Sequence, residues 1–113
     1  MGRKIHTGIA GRGSAASFPN VDVTTSIAVG SNKVYWCNTS SGTITLTLPP
    51  SPSKGDLIRI FDVGNTFDTN SLTIARNGRP IMGSADDLTV NTEGAAFDLV
   101  FYDNTEGWRI FTI

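Results

Sequence analysis

The chain is poor in the residues on which most enzyme and metal chemistry depends. It has one cysteine, Cys37, and one histidine, His6. A single cysteine makes no intrachain disulfide. One Cys and one His fall short of the roughly four nitrogen or sulfur ligands of a structural zinc site. Ser-His-Asp and Cys-His mechanisms need a base beside the nucleophile, and the only histidine lies in a different part of the chain from Cys37. Cys37 follows the apolar run Val34-Tyr35-Trp36 and reads as an inert buried thiol. No catalytic residue, metal site or cofactor is assigned on this basis.

Charge is also scarce. Charged residues make up 17% of the 113, against about 25% in an average globular chain. Lys and Arg number 9 and Asp and Glu 10, for a formal net charge of -1. A dedicated nucleic-acid or anionic-membrane binder needs a large basic excess, so neither partner is expected. No apolar run approaches the ~20 residues of a membrane-spanning helix. The opening Met1–Gly11 lacks the apolar stretch of a secretory signal. No segment carries the 3.6-residue period of an amphipathic helix. The length fits a single domain.

What is abundant is Thr (14), Ser (10) and Asn (8), and the pattern they form is β. Thr43 to Leu48 alternates strictly, with Ile44, Leu46 and Leu48 on one face and three threonines on the other. Pro49-Pro50 ends that strand, because proline cannot donate to a ladder. Leu57–Phe61 is apolar on both faces except at Arg59, which predicts a central or doubly covered strand. Val21–Ala28 is mixed and predicts an edge. Lys33–Asn38 sets Val34 and Trp36 on one face and Tyr35 and Cys37 on the other. Ser71–Arg76, Asn77-Gly78 and Arg79–Met82 read as a hairpin, since both turn residues tolerate positive φ. Ala96–Tyr102 and the closing Trp108–Ile113 flank a turn at Asp103–Gly107, and the apolar finish ties the last strand into its sheet. The expected fold is all-β, a single antiparallel β-sandwich or open barrel of seven or eight short strands over residues 21–113.

Residues 1–20 read differently. Arg3, Lys4 and Arg12 occur among glycines with no acid within the first eighteen positions, while the remainder carries 6 basic and 10 acidic residues. This segment is expected to be an extended anchoring arm, with Arg3, Lys4, Ile5, His6 and Arg12 as partner-binding residues.

Within the domain the candidates for chemistry are few. Asp86, Asp87, Asp98 and Asp103 are the carboxylates a hydrolase would have to pair, and each is equally at home in a turn or on a solvated face. Asp62, Asn65, Asp68 and Asn70 form an oxygen-rich loop, in which Asp62 and Asp68 are a weak calcium candidate without EF-hand spacing. Asn38-Thr39-Ser40 fits a glycosylation sequon, and Gly11–Ala16 only loosely resembles a dinucleotide loop, with no preceding strand. Trp36 with Trp108, or Tyr35 with Tyr102, would make a glycan-stacking platform if both members faced solvent. Phe67 lies in a loop and is the candidate for contact with a neighbouring chain.

One order of phrases carries further. Asn38-Thr39-Ser40-Ser41-Gly42, the alternating Thr/Ile/Leu strand, and Leu48-Pro49-Pro50-Ser51-Pro52-Ser53-Lys54-Gly55-Asp56 come first. Then follow a strand ending at Asp62, Phe67-Asp68-Thr69-Asn70-Ser71-Leu72-Thr73-Ile74-Ala75-Arg76-Asn77-Gly78, Ile81-Met82-Gly83, Asp87-Leu88-Thr89-Val90, Gly94 and Gly107-Trp108-Arg109. This stretch, from Tyr35 to Ile110, resembles a β-domain of tailed-bacteriophage structural and tail-fibre proteins. The resemblance implies a non-enzymatic virion component, often a homotrimer, whose partners are other capsid or tail proteins. In such proteins the domain commonly ends a longer chain. Here it follows some 25–30 residues with neither heptads nor a collagen-like stretch. A capsid decoration or cement protein, or a small tail or neck fibre protein, is therefore expected. The alternative is a receptor- or glycan-binding tip module with a host-surface glycan as ligand.

Overall fold

A computed structural model of the chain describes residues 17–113. Among them the fold is all-β, with nine strands and no α-helix. The strands are β1 (Asn20–Val23), β2 (Ile27–Ala28), β3 (Lys33–Cys37), β4 (Ile44–Thr47), β5 (Leu57–Asp62), β6 (Leu72–Ala75), β7 (Leu88–Val90), β8 (Ala96–Asp103) and β9 (Gly107–Thr112). They form a five-stranded sheet, β1-β3-β5-β8-β9, and a four-stranded sheet, β2-β4-β6-β7. Among the described residues no helix is long and apolar enough to cross a membrane.

The sheets are mixed, which corrects the expectation of a wholly antiparallel fold. Over the first six strands the chain crosses to the other sheet after every strand. Each return lays the new strand parallel to the one before it: β1 with β3, β3 with β5, β2 with β4, and β4 with β6. Parallel neighbours need a crossover connection, usually a helix; here a strand of the opposite sheet takes that part. Only then does the chain reverse locally, pairing β6 with β7, β5 with β8 and β8 with β9 antiparallel. Alternating polarity is the same for parallel and antiparallel strands with one buried face, so the pattern located strands without giving their direction.

Three details of strand placement differ from expectation. The stretch from Val21 to Ala28 divides at Thr24–Ser26 into β1 and β2, which belong to different sheets. Asn77 (φ 52) and Gly78 (φ 97) do form a turn, but β6 takes its partner from Leu88–Val90, not from Arg79–Met82. The latter stretch runs along the outer edge of β9, where Trp108 N–H donates to Pro80 O (2.9 Å) and Met82 N–H to Trp108 O (2.8 Å). Asn77 is held elsewhere, its side-chain amide donating to Leu48 O at 2.9 Å.

One hydrophobic cluster joins the two sheets. Tyr35, Ile58, Ile60, Phe97, Leu99 and Trp108 of one sheet and Ile44, Leu46, Leu72 and Ile74 of the other belong to it. The strict alternation of β4 buries every second residue, as read from the sequence, and β6 shows the same pattern. Strand β5 is the middle strand of its sheet, in agreement with its apolar character on both faces.

Candidate functional site

Residues on the outward side of the five-stranded sheet follow from register. Ile58, Ile60 and Asp62 of β5 point inward, so Leu57, Arg59 and Phe61 point outward. Their ladder neighbours Val34 and Trp36 on β3, and Asp98 and Val100 on β8, share that face. An outward face would ordinarily be polar; this one is largely apolar. At its centre Arg59 Nε and Nη2 donate to the two Asp98 carboxylate oxygens at 2.7 and 2.9 Å. Asp98 is 7% exposed. The bidentate bonds to Asp98 hold the Arg59 guanidinium above its ordinary pKa, against the opposing effect of burial, with the carboxylate's charge adding to the rise. Next to this pair Trp36 stacks on Phe61, with centroids 4.4 Å apart and planes 22° from parallel. The indole N–H donates to Asn20 Oδ1 at 2.9 Å. At the rim the Lys54 ammonium sits 3.7 Å from the Tyr102 ring centroid, within cation–π range.

The two expected aromatic platforms do not form. Trp108 is 0% exposed and packs edge-on against Phe101, whereas Trp36 is partly exposed on the opposite face of the sheet. Tyr35 is buried, its hydroxyl accepting Gly30 N–H at 2.7 Å, and burial raises its pKa; Tyr102 is 50% exposed. Each proposed pair is thus split between the inside and the outside. The sequence left this open because both faces of the sheet carry aromatic residues.

Phe67 is likewise corrected. It is 0% exposed and belongs to the core, so it presents no surface to a neighbouring chain. Its loop folds inward because Asp62 holds the backbone. Asp62 Oδ1 accepts Thr66 N–H (3.2 Å), while Oδ2 accepts Phe67 N–H (3.1 Å) and Gly94 N–H (3.0 Å). A carboxylate so engaged has little left for a cation. Asp68 is exposed, and no group of three His, Cys, Asp or Glu side chains among the described residues is placed to hold a metal. The oxygen-rich loop is closed by its own amides: Thr39 and Thr66 share a hydroxyl hydrogen bond of 2.8 Å, and Asn70 Nδ2 donates to Thr39 O at 2.8 Å.

The other carboxylates are occupied singly. Asp86 accepts from Ser84 Oγ (2.7 Å) and Asp87 from Arg76 N–H (3.0 Å). Asp103 accepts Thr105 and Glu106 N–H, and these bonds, that to Glu106 foremost, lower its pKa. Cys37 is buried beside Asp62; burial first, and then the Asp62 charge, pushes its thiol up to about 12. A thiol held so protonated is a poor nucleophile. Arg3, Lys4, Ile5, His6 and Arg12 lie outside the described residues.

A second surface had no counterpart in the sequence reading. Where β7 of one sheet and β8 and β9 of the other part, a groove of about 280 Å³ opens, lined by Leu88, Val90, Phe97, Ile110 and Thr112 among others. The alternation of Leu88-Thr89-Val90 was the available signal, and at three residues it was too short to separate from a loop. Comparison of the chain with known protein families and with characterised proteins finds no match.

Proposed function

We propose that this chain is a non-enzymatic structural protein of a tailed-bacteriophage virion. In this reading its two sheets form a β-sandwich, it assembles as a homotrimer, and residues 1–20 anchor it to a capsid or tail protein as decoration, cement or a small tail or neck fibre. The phrase order from Tyr35 to Ile110 carries the reading. It is supported by the structural use made of that phrase's residues. Pro49-Pro50 come one residue after the end of β4, Gly42, Gly55 and Gly78 take positive φ in turns, and Asp62, Thr39 and Asn70 close a loop over the core. The apolar outward face of the five-stranded sheet also leaves surface that self-association would cover.

The test is incorporation. A chain lacking residues 2–18 is expected to fold and to be missing from purified virions, and its normal incorporation would end the anchoring role. Copy number per particle, from quantitative mass spectrometry, separates the sites. Hundreds indicate capsid decoration, and a dozen or two indicate the tail or neck. Sedimentation showing only a 12.0 kDa monomer at high concentration would remove the trimer.

The partial exposure of Trp36 and Phe61 favours a second reading, a receptor- or glycan-binding tip module, because a ring face left open to solvent offers an apolar platform for a sugar ring. Quenching of Trp36 fluorescence by host-surface glycans would support it.

A further inference from the structure

We propose that Met82 is an oxidation site: its thioether caps the open edge of β9, and a hydroperoxide removes the cap by converting it to the sulfoxide.

Strand β9 is the last in its sheet, and a bare edge strand is a template for unwanted pairing. Ile113 N–H turns toward β8 and donates to Ala96 O at 3.0 Å. Backbone groups alternate in direction along a strand, so those of Trp108, Ile110 and Thr112 turn to the free edge. A strap, Pro80–Gly83, takes the groups of Trp108: the N–H donates to Pro80 O (2.9 Å) and the carbonyl accepts Met82 N–H (2.8 Å). The strap then turns back, with Gly83 N–H donating to Glu106 O at 2.8 Å and with Ile81 and Ser84 exchanging backbone bonds of 3.0 and 2.9 Å. Its backbone therefore goes no further along β9. The next edge amide is met by a side chain instead: Ile110 N–H donates to Met82 Sδ at 3.3 Å.

The backbone of Met82 is committed to this contact. Its φ of 52 lies in the left-handed region, where a bulky residue is an outlier. Such strain persists only where the surroundings impose it, and here the bonds of Pro80–Gly83 to β9 do so. Met82 is also 46% exposed, so a dissolved oxidant reaches it with the strap in place. A thioether sulfur has two lone pairs and accepts weakly; accepting one N–H leaves the second open to attack.

In the oxidation the sulfur attacks the hydroxyl oxygen of the hydroperoxide. An S–O bond forms and the O–O bond breaks. The sulfur loses two electrons, and the peroxide is reduced to water or an alcohol, the hydroxyl proton passing to the departing oxygen. The product sulfur carries partial positive charge and no longer accepts Ile110 N–H. The new oxygen occupies the lone pair that pointed away from that amide. Ile110 then joins Thr112 in a row of free edge groups. Sulfoxide reductases reverse the change.

Purified full-length protein treated with hydrogen peroxide tests this, read by peptide mass mapping and residue-resolved amide exchange. Met1 is the only other methionine, so the two sites fall in separate peptides. Met82 is expected to oxidise in the folded protein within tenfold of its rate in the denaturant-unfolded chain; slower oxidation overturns the site. In the oxidised protein Ile110 N–H should exchange about fivefold faster. The Trp108 and Met82 amides, held by backbone carbonyls, should change less than twofold, and reductase treatment should restore Ile110. Met82→Leu keeps the bulk without the acceptor. It should show the faster Ile110 exchange before peroxide and no change after it. Met82→Gly relieves the left-handed strain, so the same fast exchange in a chain that melts no lower than the parent separates loss of the cap from loss of structure. Ile110 exchange unaltered by the sulfoxide and by both substitutions overturns the cap. None of these readouts depends on a virion.

Discussion

Arg59 and Asp98 lie opposite one another on β5 and β8 and share two parallel hydrogen bonds of 2.7 and 2.9 Å. They are a charged pair in a face otherwise built from Trp36, Phe61, Val34 and Val100. Removing one partner is worse than removing both, since the remaining charge keeps its desolvation cost without its bonds. Arg59 retains 26% side-chain exposure, so solvent screens part of the effect. Asp98→Ala is expected to cost about 2 kcal/mol in denaturant unfolding, and Arg59→Met with Asp98→Leu much less than the sum of the single changes. An additive double-mutant cycle would show that the pair is not coupled.

Asp62 fixes the loop that buries Phe67. Its carboxylate accepts three backbone N–H groups, from Thr66, Phe67 and Gly94. Asp62→Ala leaves these donors without their acceptor, at about 1–3 kcal/mol for each that stays buried. The expected outcome is a loss of about 3 kcal/mol, with amide exchange accelerated first at Phe67 and Gly94. Unchanged protection at both amides would show that the loop is held by Thr39, Thr66 and Asn70 instead.

These two residues also show what a sequence discloses. Arg59 was legible as the lone polar residue in an apolar strand, and the strand as central. Its partner was not, since pairing across β5 and β8 depends on a register fixed by the whole sheet. Asp62 was legible as part of an Asx-rich loop, but the same oxygens serve a cation or a row of amides equally well. The choice depends on Gly94, far along the chain. The Asn77-Gly78 turn was read correctly from its φ preference, but a turn does not choose the partner strand when the next segment is drawn to the edge of β9. Strand direction and the groove at β7 both arise from the winding between sheets, which leaves no local periodicity to read.

Gly107 opens β9 at φ 70, and a Cβ there would run into the Pro80 carbonyl, which accepts Trp108 N–H. Backbone cannot yield as a flexible side chain can. Gly107→Ala is therefore expected to cost more than the roughly 1 kcal/mol of left-handed strain alone. It should also release Pro80–Gly83 from the edge of β9, seen as faster amide exchange at Met82 and Gly83. A melting temperature equal to that of the parent would contradict the clash.

Cys37 links burial to alkaline stability. Its thiol ionises at about 12 in the folded chain, against an ordinary 9.0. The folded value is raised, so the unfolded chain gives up its proton first. The stabilisation from keeping the thiol neutral is complete below pH 9.0 and is lost as pH rises toward 12. Cys37→Ala, which has no proton to lose, is expected to flatten the decline of unfolding free energy over that window relative to the parent. The cavity it leaves lowers stability at all pH values by about 1 kcal/mol. Tyr35 shares the sheet and is also raised by burial, so Tyr35→Phe serves as the control for any slope that Cys37→Ala leaves. In the folded parent the thiol should resist aromatic disulfide reagents at pH 8 and react fully on unfolding. Fast labelling of the native protein would mean that the strand around Cys37 opens readily, and would shift the account of alkaline stability from the proton to local unfolding.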